Sequence, residues 1–335
     1  MGHQIMTERN LGLDFVRATE AAALAAGRLM GMGRPEEADR AATEAMYQVL
    51  NALEVRGRVV VGEEQKLGAP SMLSTGSTVG RGESPAVDVV VDPIDGRRLV
   101  AQGRPGAISV VAVAPKGNMW TPRPAVYMEK LVVGPQVAQA LVPECLDAPV
   151  AWTLALIARV TQKAVRDLVI FVLDRRRHRS LIREIRATGA RVMLRIDGDV
   201  AGAVMAALGD GKVDALMGIG GVAEGLIAAC AVKALGGGML GRLAPQSEAE
   251  WHAVEAAGLD MKRIMRCEDM VKGCDLFFAA TGITDGPLLD GVVYRGGWAE
   301  THSLLVRCET RTRRFMHTLH QLEPDNGNSV SPFGG

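Results

Sequence analysis

The apolar positions in the first fifty residues follow a helical spacing. Ala and Leu recur through residues 11–30, and Gly31 and Gly33 end this segment, which predicts a first helix. Pro35 suits the first turn of a second helix over residues 35–53. The chain is therefore expected to open with two helices.

Short β-branched runs follow these helices. Residues 56–61, 87–91 and 108–114 are rich in Val or Ile and predict three strands. Pro and Gly cluster at residues 68–85 and 115–124, which predicts a loop before the second strand and another after the third. The pattern thus indicates a β region after the helical opening.

From about residue 150, apolar runs of strand length alternate with segments of helical spacing. The predicted strands are 168–173, 191–195, 213–217 and 276–280, and the predicted helices are 152–165, 178–188, 200–208 and 224–235. Alternation of this kind predicts βαβ units and a largely parallel sheet covered by helices. Residues 301–317 predict a β-hairpin with its turn at 308–312, and residues 324–335 predict a disordered tail.

Composition narrows the function classes. The chain has 335 residues, of which 48% are hydrophobic, and its 38 basic residues balance 38 acidic ones. A neutral chain lacks the clustered positive charge that holds nucleic acid, so no nucleic-acid partner is expected. No apolar run reaches about 18 residues and the N-terminus is polar, which argues against a membrane partner. The five scattered cysteines are read as reduced thiols of a cytoplasmic protein.

Carboxylates collect where two predicted strands end. Glu63 and Glu64 follow one strand, and Asp92 and Asp95 follow the next. Taken alone, Asp-Pro-x-Asp-Gly is an ordinary turn and a Glu pair is a solvated loop. Together they favour a site for a hard cation such as Mg²⁺ or Mn²⁺, because like charges converge only around a positive group.

Several motifs in a fixed order match one enzyme family. They are 17-RATE-20, 38-AD-39, 62-GE-63, 69-AP-70, 92-DPIDG-96, 127-YMEK-130, 177-RH-178, 197-DGD-199, 217-MGIGG-221, 224-EG-225 and 280-ATGIT-284. With these motifs the chain resembles the class II fructose-1,6-bisphosphatases of the lithium-sensitive phosphatase superfamily, over about residues 9–320, as a divergent member.

The resemblance implies an α/β fold layered α-β-α-β-α around two sheets. It also implies an N-terminal α+β domain for metal and phosphate at residues 1–150 and a C-terminal α/β sugar-binding domain at residues 151–323, with the hairpin at 300–318 on either one. The implied activity is metal-dependent hydrolysis of the 1-phosphate of fructose 1,6-bisphosphate, or of a relative such as sedoheptulose 1,7-bisphosphate. It would serve gluconeogenesis or pentose-phosphate and Calvin-type metabolism, in a homo-oligomer that is a dimer or a tetramer.

The resemblance also assigns residues. The implied ligands of Mg²⁺ or Mn²⁺ are Asp39, Glu63, Asp92, Asp95 and Glu224, of which Asp39, Glu63 and Asp92 are the catalytic set. The implied substrate contacts are Asp95, Gly96, Arg97, Tyr127, Arg175, Arg176, Arg177, Asp197, Gly198, Asp199 and Gly221. Guanidinium groups suit the phosphate oxygens, since they stay charged and bind in pairs.

Four positions depart from the family pattern. Gln65 and Leu67 stand where the family has Glu and Asp, although a shift in register would make Glu64 a ligand. Arg97 replaces the Thr or Ser that orients the attacking water, and Pro35 replaces a common lysine. Arginine cannot act as a base. An alternative is therefore a catalytically impaired pseudo-phosphatase that binds sugar phosphates or regulates an active paralogue.

Overall fold

Two β-sheets alternate with three layers of helices in the computed structural model, which describes residues 11–62 and 71–322. One apolar core joins the opening helices to the first sheet, a second fills the space between the sheets, and a third lies on the far face of the second sheet. The α-β-α-β-α layering predicted from the sequence is thereby confirmed.

The strands in these residues are numbered along the chain. They are β1 (Arg56–Val61), β2 (Thr78–Val79), β3 (Ala86–Asp95), β4 (Ile108–Pro115), β5 (Tyr127–Val133), β6 (Val169–Leu173), β7 (Arg191–Arg195), β8 (Ala215–Gly221), β9 (Gly238–Leu243), β10 (Met265–Arg266), β11 (Phe277–Gly282), β12 (Val293–Arg295), β13 (Trp298–Arg307) and β14 (Thr312–Gln321).

The helices are numbered in the same way. They are α1 (Leu11–Gly27), α2 (Pro35–Asn51), α3 (Arg97–Ala101), α4 (Pro135–Ala138), α5 (Val150–Thr161), α6 (Arg179–Ala187), α7 (Val200–Leu208), α8 (Val222–Leu235), α9 (Glu248–Ala256) and α10 (Cys267–Met270). Where the structure describes the chain, no helix is both long and apolar enough to span a bilayer.

The first sheet has eight strands and the second has six. Their orders are β12-β13-β11-β4-β3-β1-β2, with β14 on the outer side of β13, and β10-β9-β5-β8-β6-β7. In the first sheet only β1 and β3 are parallel, and in the second β6 is parallel to β7 and β8. All other pairings are antiparallel.

The prediction of a largely parallel sheet is therefore wrong. The predicted alternation is real for β6, β7 and β8, which follow one another through α6 and α7. However, β5 and β9 were not predicted from the sequence, and they complete the second sheet in antiparallel pairing. The predicted strand at 276–280 is β11, which pairs in the first sheet instead.

Sheet membership crosses the predicted domain boundary at residue 150. Strand β5 precedes that position and lies in the second sheet, whereas β11 to β14 follow it and lie in the first. The predicted hairpin is β13 and β14, and it pairs with β11 in the first sheet. The boundary itself stays a prediction, because sharing a sheet does not define an independently folding unit. The predicted tail at 324–335 lies outside the described residues.

A chain of buried hydroxyl groups fixes α1 on the first sheet. The hydroxyl of Thr19 lies 2.7 Å from that of Thr281 on β11, and Thr281 lies 2.8 Å from Ser303 on β13. All three residues are fully buried. Each hydroxyl therefore finds a partner, which removes the cost of burying it unsatisfied and sets the position of α1 across two strands.

The buried ring of His178 joins β6 to β8 ahead of α6. Its Nδ1 lies 2.7 Å from the Leu173 carbonyl oxygen, and its Nε2 accepts a hydrogen bond of 2.7 Å from the Ile219 N–H. This pairing places the ring proton on Nδ1 and requires a neutral imidazole. Burial lowers the pKa of His178 from its ordinary value. The ring therefore serves the fold, since both of its nitrogens are occupied by backbone groups.

We expect the free energy of unfolding to fall as pH drops below about 6.5, because there the unfolded chain protonates His178 while the folded chain keeps the ring neutral. The slope attributable to one such proton is about 1.4 kcal/mol per pH unit, and it disappears below the folded pKa. In His178→Asn this part of the slope should be lost, as measured by urea unfolding between pH 5 and pH 8. His252→Asn, at an exposed position on α9, is the control. Equal slopes in His178→Asn and the wild type would contradict this account.

Candidate active site

A cleft of about 370 Å³ opens where the end of β3 faces β5, β6 and β8 of the second sheet. Its polar side chains form two groups, which are carboxylates beside β3 and α8 and arginines beyond β6. The residues that line it include Gly62, Asp95, Gly96, Arg97, Tyr127, Arg175, Arg177, Asp197, Gly198, Asp199, Gly220, Gly221 and Glu224.

Asp92 and Asp95 lie at the irregular end of β3, with only 1% and 2% of their surface exposed. The Ile94 N–H donates a 3.1 Å hydrogen bond to Asp92 Oδ1. Asp95 Oδ2 accepts hydrogen bonds of 3.1 Å and 3.2 Å from the N–H groups of Val200 and Ala201 at the start of α7. These donors favour the ionised form of Asp95, and the positive end of the helix dipole adds to the effect.

Arg97 is directed toward the carboxylates. It opens α3 directly after Gly96, whose φ of +104° allows the turn that follows β3. Its Nη1 lies 3.7 Å from Oδ2 of the fully buried Asp39, which comes from α2. A guanidinium in this position compensates part of the charge of the carboxylates, as a bound cation would.

The donors of the acidic group suit a hard divalent cation, because every side chain in it offers carboxylate oxygens. Within the described ranges, no three of Asp39, Asp92, Asp95 and Glu224 bring ligand atoms within 4.8 Å of one another. The predicted ligand Glu63 lies outside the described residues.

Arg177 is held in place at the cleft by a backbone carbonyl oxygen. Its Nε and Nη2 donate hydrogen bonds of 3.1 Å and 2.7 Å to the Ile219 carbonyl oxygen. Its guanidinium carbon lies 5.1 Å from the centre of the Tyr127 ring. Burial lowers the pKa of Arg177 from its ordinary value, although arginine remains charged at physiological pH. The group therefore offers a fixed positive charge beside an aromatic hydroxyl.

An ion pair joins the loop at residues 197–199 to Arg175. Arg175 Nη2 lies 2.6 Å from Asp197 Oδ1, and the Arg98 N–H donates a 3.2 Å hydrogen bond to Asp197 Oδ2. The loop is thereby tied to both the arginine group and α3.

Lys130 is a buried partner that sequence reasoning did not single out. It forms a short ion pair with Asp199, and its Nζ also donates a 3.3 Å hydrogen bond to the Gly221 carbonyl oxygen. Its signal in the sequence was a lysine within the apolar run that became β5. A buried lysine in a strand requires an anionic partner, so this position could have been recognised.

Gly220 and Gly221 make room for the carboxylates of the cleft. A Cβ atom on Gly220 would overlap Asp199 Oδ2, and one on Gly221 would overlap Glu224 Oε2. Glycine at these two positions thus accommodates the observed orientations of Asp199 and Glu224.

The structure gathers most of the predicted site residues at this one cleft. Asp95, Gly96, Arg97, Tyr127, Arg175, Arg177, Asp197, Gly198, Asp199, Gly221 and Glu224 line it. Asp39 and Asp92 are buried and do not line it. Arg176 is exposed and does not line the cleft. It lies in a single turn of 3₁₀ helix at Arg176–His178, so its side chain points away from those of Arg175 and Arg177.

Comparison with known proteins places this arrangement in a family. The family model described as bacterial fructose-1,6-bisphosphatase, glpX-encoded, matches residues 9–320. The chain is 40% identical to a fructose-1,6-bisphosphatase class 2 of Haemophilus influenzae, over 94% of this chain and 97% of that protein. It is 38% identical to a D-fructose 1,6-bisphosphatase class 2/sedoheptulose 1,7-bisphosphatase of Synechococcus sp. (strain JA-3-3Ab), over 96% of this chain and 99% of that protein. The chain therefore belongs to the glpX-encoded bacterial fructose-1,6-bisphosphatase family.

Proposed function

We propose that this chain hydrolyses the 1-phosphate of fructose 1,6-bisphosphate, or of a related sugar bisphosphate such as sedoheptulose 1,7-bisphosphate. The observation that carries the proposal is one cleft lined by both carboxylates and arginines, among them Asp95, Glu224, Arg175 and Arg177. We propose that the carboxylates serve as an acidic end and the arginines as a basic end for a sugar with two phosphates, because a bound divalent cation and the arginines would each neutralise one phosphate. The printed names of the relatives support the same substrates.

At the acidic end, the residues proposed to hold Mg²⁺ or Mn²⁺ are Asp39, Glu63, Asp92, Asp95 and Glu224. A divalent ion bound there would polarise the phosphate and lower the pKa of a bound water. Asp95 has a fixed orientation, because two N–H groups of α7 hold its Oδ2. The helix therefore positions this carboxylate before any ligand arrives.

At the basic end, Arg175, Arg177 and Tyr127 bind and orient the phosphate that is retained. Arg177 needs little ordering, since the Ile219 carbonyl oxygen already accepts from two of its nitrogens. Asp197 and Asp199 accept hydrogen bonds from sugar hydroxyls, and Lys130 fixes Asp199 for this task. Holding the sugar in place in this way lowers the entropy cost of phosphoryl transfer.

Arg97 sets this chain apart within the family. By resemblance, relatives carry a hydroxyl side chain at this position that orients and deprotonates the attacking water. Arg97 cannot accept that proton, and its charge near Asp39 opposes the binding of a cation. We therefore propose a divergent member of the lithium-sensitive phosphatase superfamily whose turnover is reduced but real. The pseudo-phosphatase alternative is not favoured, since the curated relatives are named as bisphosphatases.

The proposal extends to the setting of the enzyme. We propose a cytoplasmic homo-oligomer, a dimer or a tetramer, that acts in gluconeogenesis or in pentose-phosphate and Calvin-type carbon metabolism. This setting rests on the resemblance and on membership of a bacterial family. Sedimentation of the purified chain would measure its oligomeric state.

Release of inorganic phosphate tests the proposed reaction. The purified chain should release phosphate from fructose 1,6-bisphosphate or sedoheptulose 1,7-bisphosphate when Mg²⁺ or Mn²⁺ is added, and chelation should stop the release. Phosphate release from inositol phosphate, measured separately, serves as the comparison. Binding of sugar bisphosphates in calorimetry without release above background would support the pseudo-phosphatase instead and overturn the proposal.

Replacement of Arg97 by the hydroxyl residue of the relatives should improve turnover. We expect Arg97→Thr to lower the Mn²⁺ concentration for half-maximal rate by about tenfold, because the competing charge near Asp39 is gone. The value of kcat should rise about tenfold. This is less than the full ~10² to 10⁴ that general-base assistance contributes, because Leu67 still stands where the family has an Asp. Steady-state kinetics at varied Mn²⁺ measures both. Arg98→Thr makes the same charge change at an exposed position. An equal effect of both substitutions would show that position 97 has no special role.

The paired hydrogen-bond donors of Arg177 should contribute more to binding of the sugar bisphosphate than its positive charge does. We expect Arg177→Lys to raise KM for the sugar bisphosphate about tenfold and to change kcat little. The single ammonium group of lysine cannot make paired hydrogen bonds to a phosphate while it also donates to the Ile219 carbonyl oxygen. Arg176→Lys is the matched control at the exposed neighbour, and its KM should stay near that of the wild type. If Arg176→Lys raised KM as much as Arg177→Lys did, the assignment of the basic end would be wrong.

A further inference from the structure

A second group of metal-binding side chains lies on the outer hairpin of the first sheet. His302 on β13 and His317 on β14 are directly opposite one another in the strand register. Asp290 comes from the loop before β12, and one ligand atom from each of the three residues lies within 4.8 Å of the others. None of them lines the cleft, and β11 and β4 separate β13 from β3. The group is therefore independent of the proposed phosphatase site.

Short contacts hold the three side chains together. His302 Nδ1 lies 3.2 Å from Asp290 Oδ2 and accepts a 3.0 Å hydrogen bond from the Asp290 N–H. The lone pair of this nitrogen is therefore directed toward Asp290. The His317 ring stacks on the His302 ring, with their centres 4.1 Å apart and their planes 14° from parallel. His317 Nδ1 lies 3.8 Å from Oε1 of Glu300, which is also on β13.

We propose that Asp290, His302 and His317 bind a transition-metal ion of the Zn²⁺ class, with Glu300 within reach as a fourth ligand. Imidazole nitrogens favour Zn²⁺, Ni²⁺ or Cu²⁺ over Mg²⁺, which prefers oxygen. Side chains opposite each other on antiparallel strands have Cβ atoms about 5 Å apart, so two rings reach a common point. The ion takes the place of the hydrogen bond from the Asp290 N–H to His302.

The adjustment that binding requires is small. Ligand atoms bonded to a tetrahedral Zn²⁺ at about 2.0 to 2.1 Å lie roughly 3.4 Å apart, and the ligand atoms of this group already lie within 4.8 Å of one another. The His317 side chain is 58% exposed, which leaves it free to rotate out of the stack.

A metal ion at this position would connect the loop before β12 to both strands of the terminal hairpin. Asp290 belongs to the loop that follows β11, whereas His302 and His317 belong to the last two strands of the sheet. Strand β14 is an edge strand that pairs only with β13 among the described strands. Binding would therefore stabilise the edge of the sheet by linking β14 to the loop.

Calorimetric titration of the full chain with Zn²⁺, in saturating Mg²⁺, tests the proposal. We expect His317→Gln and Asp290→Asn to bind Zn²⁺ at this site at least about tenfold more weakly than the wild type. Zn²⁺ that enters the acidic cleft contributes equally to all proteins, so it cancels in the comparison. His252→Gln removes an exposed histidine on α9 and should bind as the wild type does.

Thermal unfolding provides a second readout that does not depend on activity. Zn²⁺ should raise the Tm of the wild type and of His252→Gln, and it should raise the Tm of His317→Gln and Asp290→Asn by less. Because His317 is exposed, its replacement leaves the folded chain available for measurement. Equal Zn²⁺ affinity and equal Tm shifts in all four proteins would overturn the proposal, as would a wild type that binds no Zn²⁺.

Discussion

The burial of like charges at the end of β3 is the constraint on which the site depends. Asp92 and Asp95 are almost fully buried there, and Asp39 is fully buried on α2. Buried carboxylates are stable only when hydrogen bonds or positive charges compensate them. In this chain the start of α7 compensates Asp95, and Arg97 approaches Asp39. The cleft thus borders buried negative charge, which the proposed function assigns to the binding of a divalent cation.

Both sheets contribute residues to the one cleft. The end of β3 in the first sheet places Asp95, whereas the second sheet places the guanidinium of Arg177 through the turn after β6 and the carbonyl oxygen of Ile219 on β8. Glu224 follows β8 on α8, and the ion pair of Arg175 with Asp197 ties the loop at 197–199 to the arginines. In the proposed function, this mixed lining holds a ligand with two phosphates.

The local sequence pattern was sufficient to predict many helices and strands of this fold. It was not sufficient to predict which distant strands pair with one another. The β-branched run at 56–61 and the small apolar residues at 200–208 correspond to β1 and α7 with the predicted bounds. Strand β5 was missed because Glu129 and Lys130 interrupt its apolar run, and Lys130 is tolerated only through its partner Asp199. Antiparallel pairing of β5 with β8 and β9 depends on chain reversal over long separations, which periodicity does not encode.

The residues of the candidate site could likewise be predicted only in part from the sequence. Motif resemblance predicted the residues that line the cleft, but it could not separate Arg176 from Arg175 and Arg177, since only the local turn decides which side chains face inward. The direction of Arg97 also required the structure, because α3 and α2 meet only in the fold. Motif resemblance likewise gave no indication of the opposed pair His302 and His317, whose proximity follows from the hairpin register.

The central claim is that the buried carboxylates hold a divalent cation beside the bound sugar bisphosphate. Electron paramagnetic resonance of Mn²⁺ tests it directly, by comparing the wild type with the nearly isosteric Asp39→Asn. The account predicts that the wild type binds Mn²⁺, that fructose 1,6-bisphosphate changes the spectrum of the bound ion, and that Asp39→Asn weakens Mn²⁺ binding at least about tenfold. Equal Mn²⁺ binding by both proteins, or a bound-ion spectrum that does not respond to the sugar bisphosphate, would contradict it.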